Sequence, residues 1–573
     1  MPERVLLLGD DLRAFLSIAR SLGRRGVEVH AAPSDFSSPA LKSRHIAAAH
    51  RLPPYPLGPE AWEAALARLI DQYGFARVVP TSDSGLFMLR HHAAALGRER
   101  IGIANEEALE IFSDKANTRA LAEAHGVGVA KGLLLGPGDE AAAVAAALGL
   151  PLVLKPRASY ALGDIKTKRS ARVVRDSAEL EKQLRSGAWN GCVAERFFPG
   201  AGVGVSVLAR AGRVLLAYQH RRLRESSETG ASTRRVSERV DPALLAAVLP
   251  LAAATRLDGV AMFEFRQDRR GRHVLLEVNP RFWGSLPLAT AAGADFPGLW
   301  WELCVHGRET AAAYRAGVTK ADLTGEFDRA VDRFEAARGL DRIRAAVAGL
   351  ATAIAVLAAR EGADSWAADD PEPWREERLG LGKRLREALR KRLAGGRDRH
   401  RVRFEDVAGT LAGRARGRPP RLMVVGRDNI CRSAFAGRLL QLRLAGLPIE
   451  VASGGYMPRR GVHPSLATLT AASEFGVDLS GHSSNALSFL DVEQADALIL
   501  VDGDSEWRLR QMCPDFGAEI VNLSDLGGTA SDAFPAIAAA LERFAGVIVQ
   551  SLRPVPPPPA FGGEATAARR KAA

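Results

Sequence analysis

Short apolar runs, each followed by a longer stretch with helical spacing, recur towards both ends of this chain. Val5-Leu6-Leu7-Leu8 leads through Gly9-Asp10 into the apolar-periodic Ala14 to Gly26, and Val78-Val79-Pro80 leads through Thr81-Ser82-Asp83 into a second such stretch. This alternation of strand and helix predicts an α/β arrangement. In the middle of the chain the apolar runs end on charge instead. Leu152-Val153-Leu154 stops at Lys155, Cys192-Val193-Ala194 at Glu195, and Val274-Leu275-Leu276 at Glu277. Further on, Leu422-Met423-Val424-Val425 reads as a buried parallel strand, Gly426 to Ser433 as a tight loop, and Ala434 to Leu444 as the helix that follows.

Between these patterned regions lie stretches of different character. Ala345 to Ala359 is Ala-rich, bounded by Arg344 and Arg360, and shorter than the roughly 20 residues a membrane span needs, so it is expected to be a packed helix. From Lys383 to Arg418 there are 13 Lys or Arg against 4 acids, a surplus of nine out of a net charge of +12. Leu385, Leu389 and Leu393 share one helical face there, which predicts a short helix within a basic linker. Without interleaved aromatics this stretch predicts no nucleic-acid partner. The Pro-rich tail after Arg553 has no packing pattern and is expected to be disordered. Four scattered cysteines argue against a disulfide framework, and the start of the chain does not read as a signal peptide, so a cytoplasmic location with no membrane span is expected. A chain of 573 residues has room for three or four domains.

The charged strand ends carry the chemistry. Two adjacent antiparallel strands bring Glu264, Glu277 and Asn279 to one point, because residues two apart share a sheet face. Such hard oxygens suit Mg²⁺ or Mn²⁺ completing its shell with nucleotide phosphates. Lys115 and Lys155 are placed to hold a phosphate as point charges. Glu195-Arg196-Phe197-Phe198 runs from a strand into a turn where an adenine can stack. A further stretch, His220 to Glu225 with Thr229 to Arg235, is too basic for a core and is read as a loop that gathers a carboxylate or acyl phosphate.

In this order, these segments over about residues 1–320 resemble the ATP-grasp superfamily, in particular its carboxylate–amine ligase-like members. The resemblance implies that Lys115 and Lys155 contact ATP phosphates, that Glu195 beside Phe197 reads adenine, that Glu264, Glu277 and Asn279 hold the metal, and that Arg281 lies next to the transferred phosphoryl group. It implies small-molecule carboxylate and amine substrates. Two departures stand out. The glycine-rich phosphate loop is replaced by Arg157 to Gly163, leaving cover to Arg157, Lys166 and Lys168, and the acid that often contacts ribose is here Gly202.

The loop Asn429-Ile-Cys431-Arg432-Ser433 enters a helix N-terminus and forms a phosphate-sized anion cradle. With the segments that follow, residues 420–553 resemble the low-molecular-weight protein tyrosine phosphatase and arsenate reductase family. There a nucleophilic cysteine stands six positions before the loop arginine. Here that position is Gly426, while Cys431 matches a second, non-nucleophilic cysteine. Asp525 matches the general acid without the proline and aromatics that usually follow. A pseudophosphatase that keeps its anion loop is therefore expected.

The architecture expected is α/β: an ATP-grasp fold with a Rossmann-like N-terminal subdomain, plus a C-terminal doubly wound parallel-sheet phosphatase-like domain. The expected boundaries are 1–105 and 106–320 for the two parts of the first fold, 321–419 for a helical and basic linker, 420–553 for the second fold and 554–573 for the tail. The expected function is an ATP- and Mg²⁺-dependent ligase, with a non-catalytic ATP- and phosphate-sensing regulator, or residual phosphatase activity, as alternatives.

Overall fold

The computed structural model describes residues 2–53, 55, 58–158, 171–225, 232–336, 362–393, 401–414, 418–456, 461–502, 505–506, 509, 513, 518–523 and 533–552. The chain forms two compact units, Met1–Ala388 and Leu389–Ala573.

Among the described residues the first unit contains three sheets. Its opening runs build a parallel sheet in the order Ile46–Ala49, Glu28–Ala32, Arg4–Leu8, Arg77–Pro80. Arg4–Leu8 is buried along most of its length, as a strand covered on both faces must be. Ser82 then caps helix Asp83–Leu96 by accepting the Gly85 N–H. A second sheet pairs Gly132–Leu134, Val193–Arg196, Leu152–Lys155 and Arg172–Val174, all antiparallel. The third is six-stranded and antiparallel, in the order His273–Asn279, Gly259–Gln267, Ala201–Arg210, Arg213–Glu225, Ser232–Glu238, Thr319–Ala321. Helix Ala14–Arg24 buries Phe15, Ile18 and Leu22 in a core that also holds Tyr218, Trp283 and Trp301, so the opening sheet and the six-stranded sheet share one apolar interior.

Two expectations change here. The basic stretch at 220–235 is not a loop where it is described, because His220 to Glu225 lies in one strand and Ser232 to Arg235 in the next, paired antiparallel. His220 and Arg235 are buried at 2% and 1% exposure. Polarity misled the reading because each charge meets a specific partner: Arg235 pairs with Asp364, Arg224 with Glu326, and Arg222 with Glu264.

Second, residues 321–419 are not one linker. Leu323, Phe327, Ala363, Trp374 and Leu381 form a small core in the first unit. Ala363 bridges to Ala321, and buried Arg20 holds Asp370 at 2.8 Å and the Ser365 carbonyl at 2.8 Å. The short basic helix is the end of a longer one, Glu372–Leu393, in which Leu385 packs against this core. The side chains of Leu389 and Leu393 lie outside the described residues. Helix Arg401–Arg414 instead places Phe404, Val407, Ala408 and Leu411 in the core of the second unit.

The one described helix long and apolar enough to cross a membrane is Phe534–Leu552. It buries Phe534, Ile537, Leu541, Phe544 and Ile548 in the second unit's core. Ala345 to Ala359 and the tail lie outside the described residues, as do Lys166 and Lys168.

The second unit has a parallel sheet in the order Glu450–Gly455, Arg421–Gly426, Ala497–Leu500, Glu519–Asn522. Helices Arg432–Arg443 and Phe534–Leu552 pack on it through Phe435 and Phe534, whose rings stack at 4.0 Å.

Candidate functional site

Glu264 stands directly opposite Glu277 in the six-stranded sheet, and Met262 opposite Asn279. The amide of Asn279 donates to Glu264 Oε1 at 3.3 Å, and Arg222 binds Glu264 Oε2 at 2.5 Å. Two carboxylates this close cannot share one charge state cheaply. Burial pushes Glu264 above its ordinary value and the neighbouring Glu277 adds to this, against the pull of Arg222. Burial also opposes ionisation of Glu277, but Lys115 and Lys155 outweigh it and hold that carboxyl below its ordinary range. Glu277 is therefore the firmly ionised member of the pair.

The two lysines arrive from different elements. Lys115 is the first residue of helix Lys115–Ala124, a position where a cation works against the helix dipole. The N-cap Asp114 supplies the anion this end prefers, accepting from Ala116 N and Asn117 N while pairing with Arg157 at 2.6 Å. Lys115 Nζ lies 3.2 Å from Glu277 Oε2. In the four-stranded antiparallel sheet Val153 faces Glu195 and Lys155 faces Val193, so Lys155 and Glu195 share a face on neighbouring strands. Their ion pair is 2.5 Å long, and both residues are buried. Arg119 adds a longer contact to Glu195 at 3.4 Å. Phe197 lies half-buried just beyond, its N–H donating to the Pro151 carbonyl.

Arg281 donates to Asp83 Oδ1 at 2.5 Å and to Asn279 Oδ1 at 3.2 Å, so the opening subdomain reaches into the cluster. Beneath it His220 is held neutral, its pKa pushed down to about 3 by burial and by the nearby Arg222 and Arg235. Its ring lies over Gly204, where an added Cβ would meet His220 Cε1 at 2.2 Å, so only glycine fits opposite Glu264 in this strand. Ser285 Oγ contacts the ring at Nε2, at 3.2 Å.

The structure thus gathers Lys115, Glu277, Glu264, Asn279 and Arg281 into one contiguous set, with Lys155 and Glu195 as a second pair. Lys155 links the two, because its Nζ also reaches the Leu276 carbonyl at 3.4 Å. Asp83 and Arg119 are not among the residues given a role from the sequence, and Arg222 is expected there only as part of the stretch that gathers a carboxylate or acyl phosphate. Arg222 and Asp83 are 42 and 198 residues from their partners, and no local spacing signals such pairs. Among the described residues no cluster of three or more His, Cys, Asp or Glu forms a closed metal cage. Two carboxylates and an amide fit instead a hard cation that takes most of its shell from phosphate and water.

In the second unit Gly426 ends the strand Arg421–Gly426, and Arg432 opens helix Arg432–Arg443. Asn429 adopts a left-handed conformation, φ 54°. Its side chain donates to Ser453 Oγ at 3.0 Å and accepts from Asn485 N at 3.0 Å, which fixes the loop. Asp502 accepts from Arg427 N at 2.5 Å and forms an ion pair with Arg432. A Cβ on Gly426 would stand 2.6 Å from Ser433 Oγ and 2.9 Å from Asp502 Oδ2. Cys431 accepts from Thr468 Oγ1 at 3.7 Å, and burial pushes its thiol above the ordinary value. Asp525 lies outside the described residues.

The antiparallel sheet face of paired acids facing two lysines is similar to that of ATP-grasp proteins, and the strand–loop–helix turn of the second unit to that of low-molecular-weight phosphotyrosine phosphatases. More particularly, residues 191–325 match the family model for the ATP-grasp of the biosynthetic pathway with the Ter operon. Residues 421–533 match the low molecular weight phosphotyrosine protein phosphatase family. Among curated proteins, the chain is 28% identical over 105 residues to the probable low molecular weight protein-tyrosine-phosphatase EpsP of Ralstonia nicotianae, covering 18% of this chain and 71% of that one. It is 27% identical over 140 residues to the phosphatase Wzb of Escherichia coli K12, covering 23% of this chain and 94% of Wzb. Among solved structures it resembles the L-amino acid ligase of Bacillus licheniformis at 19% identity and TM-score 0.45, covering 55% of this chain and 78% of that one. The biotin carboxylase of Campylobacter jejuni is similar at 16% identity and TM-score 0.44, over 55% and 74%.

Proposed function

We propose that the first unit is an ATP- and Mg²⁺-dependent ligase that joins a carboxylate to an amine. The observation that carries this reading is the single cluster in which Glu264 faces Glu277, Asn279 bonds Glu264, and Lys115 bonds Glu277. Glu264, Glu277 and Asn279 would hold the cation, which supplies charge neutralisation at the phosphates. Lys115 and Lys155 add positive charge beside Glu277, and Phe197 offers an apolar surface to the base. The γ-phosphoryl group passes to a carboxylate oxygen, its bond to the β-phosphate oxygen breaks, and ADP leaves. The amine nitrogen then attacks the acyl carbon, the C–O bond to phosphate breaks, and inorganic phosphate departs as the amine loses a proton. Arg281, held by Asp83, is oriented to stabilise the oxyanion of that second step. Positioning and electrostatics supply most of the catalysis in phosphoryl transfer, so no protein nucleophile is required.

For the second unit we infer an anion-binding, non-hydrolysing role in the same cytoplasmic protein. The support is Gly426 at the nucleophile position, in a loop still fixed by Asn429 and carrying Arg432.

The test is ADP release by the full-length protein with Mg²⁺-ATP over panels of carboxylates, with and without amines. A specific pair that drives release, lost in Glu277→Ala, supports the ligase. Unchanged turnover in Glu277→Ala overturns the assignment of this site, whereas ATP binding without turnover on any panel member favours the sensing alternative.

A further inference from the structure

Along the face of the six-stranded sheet, between the turn after Glu195 and the Glu264–Glu277 pair, a carboxylate sits where the sequence offers none. Gly202 faces Arg266, and two residues further along the same strand Gly204 faces Glu264. A Cβ on Gly202 would lie 2.7 Å from Glu225 Oε1 and 2.5 Å from Arg222 Cδ. The space that a side chain at 202 would fill is therefore taken by Glu225, delivered from the neighbouring strand Arg213–Glu225. Arg222 contacts its Oε1 at 3.3 Å and Arg266 its Oε2 at 3.0 Å, and Arg222 continues to Glu264. Each carboxylate oxygen has two acceptor sites, so one on each oxygen stays available beside its arginine. A cavity of about 720 Å³ opens over this group, with Pro199 to Gly202 as one wall.

The inference rests on the ligase reading above. A nucleotide whose base lies against Phe197 and whose phosphates meet Lys115 and Lys155 has its sugar in between. Two residues of strand separate Gly202 from Gly204, about 7 Å, which is the span of a pentose ring with its hydroxyls. A vicinal diol presents two O–H donors, and an ionised carboxylate offers the matching pair of acceptors. We propose that Glu225 is the ribose-recognising acid of this protein, and that glycine at 202 is the floor that lets it reach across from the next strand. Arg222 and Arg266 orient it.

The experiment is calorimetric binding of Mg²⁺-ATP, 2′-deoxy-ATP and 3′-deoxy-ATP to the full-length protein, its Glu225→Gln variant and its Glu225→Asp variant. A hydroxyl bonded to a charged group is worth about tenfold or more in affinity. The wild type should bind at least one deoxynucleotide about tenfold more weakly than ATP, and Glu225→Gln should bind all three within about threefold. Glu225→Asp keeps both arginine partners satisfied but withdraws the carboxylate by one methylene, so it should fold normally and lose most of the discrimination. Wild-type binding of ATP without discrimination, or discrimination that survives both substitutions, overturns the role of Glu225 and leaves the ligase reading standing. Absence of any nucleotide binding by the wild type overturns both.

Discussion

Acidification should destabilise the first unit through His220, by an amount that can be worked out from its surroundings. Its imidazole is buried among Arg222 and Arg235, and its pKa falls from 6.5 to about 3 in the folded protein. Because the folded value is depressed, the unfolded chain takes up a proton as the pH falls through 6.5, whereas the folded chain does not until near 3. The stability contributed by the neutral ring is present in full above 6.5 and is lost progressively below it. At 1.36 kcal/mol per pH unit, moving from pH 7 to pH 4.5 removes about 2.5 kcal/mol. The assay is urea unfolding of the full chain followed by tryptophan fluorescence, which reports this unit because seven of the eight tryptophans lie before residue 389. Other acids titrate over the same range, so the comparison is with His220→Asn, which cannot take the charge. Wild type and variant should differ in their loss over this interval by about 2.5 kcal/mol. Parallel pH profiles would refute the argument, since they would mean that the folded ring accepts a proton as readily as the unfolded one.

Two further outcomes follow from the packing. Gly426→Cys should give no hydrolysis of an aryl phosphate and should lower the second unit's melting temperature, because the new Cβ meets Ser433 Oγ at 2.6 Å and Asp502 Oδ2 at 2.9 Å. Robust turnover would show that only the nucleophile was missing. Asp364→Ala should cost about 3–5 kcal/mol by the same fluorescence assay, since it leaves Arg235 buried without its counter-ion, and a change under about 1 kcal/mol would mean that water reaches the guanidinium.

The legible part of the site was the part set by local periodicity. Glu264 and Glu277 are close in sequence, on strands joined by a short turn, and Asn279 follows two residues on, so strand alternation alone brings all three to one sheet face. The partners that fix their charge are far away in sequence, and nothing in a strand's own pattern announces them. Arg235 and Asp364 are 129 residues apart, and Arg224 and Glu326 are 102 apart. Read locally, those arginines are surface charge. The same cause hid residues 362–385, whose acids look like solvated polar positions until Arg20 and Arg235 reach them. In the second unit the sequence marked the turn from strand into helix, but not that Asp502, 70 residues after Arg432, lies against it.

The long-range pairs also bear on how the site works. An isolated buried cation is costly, so Lys155 and Arg281 need counter-ions where they lie in the folded protein. Glu195 meets that need for Lys155 and Asp83 for Arg281, while Glu277 does so for Lys115. Two of these acids, Glu195 and Asp83, lie outside the Glu264, Glu277 and Asn279 set, so those cations keep a partner whatever that set binds. Lys115 is the exception, because its partner is itself one of the three. On the proposed ligase reading, Glu277 is thus the point where holding a cation and releasing a lysine to the phosphates would be the same event. Its removal should disrupt phosphate binding more than its single charge suggests, while leaving Lys155 and Arg281 in place.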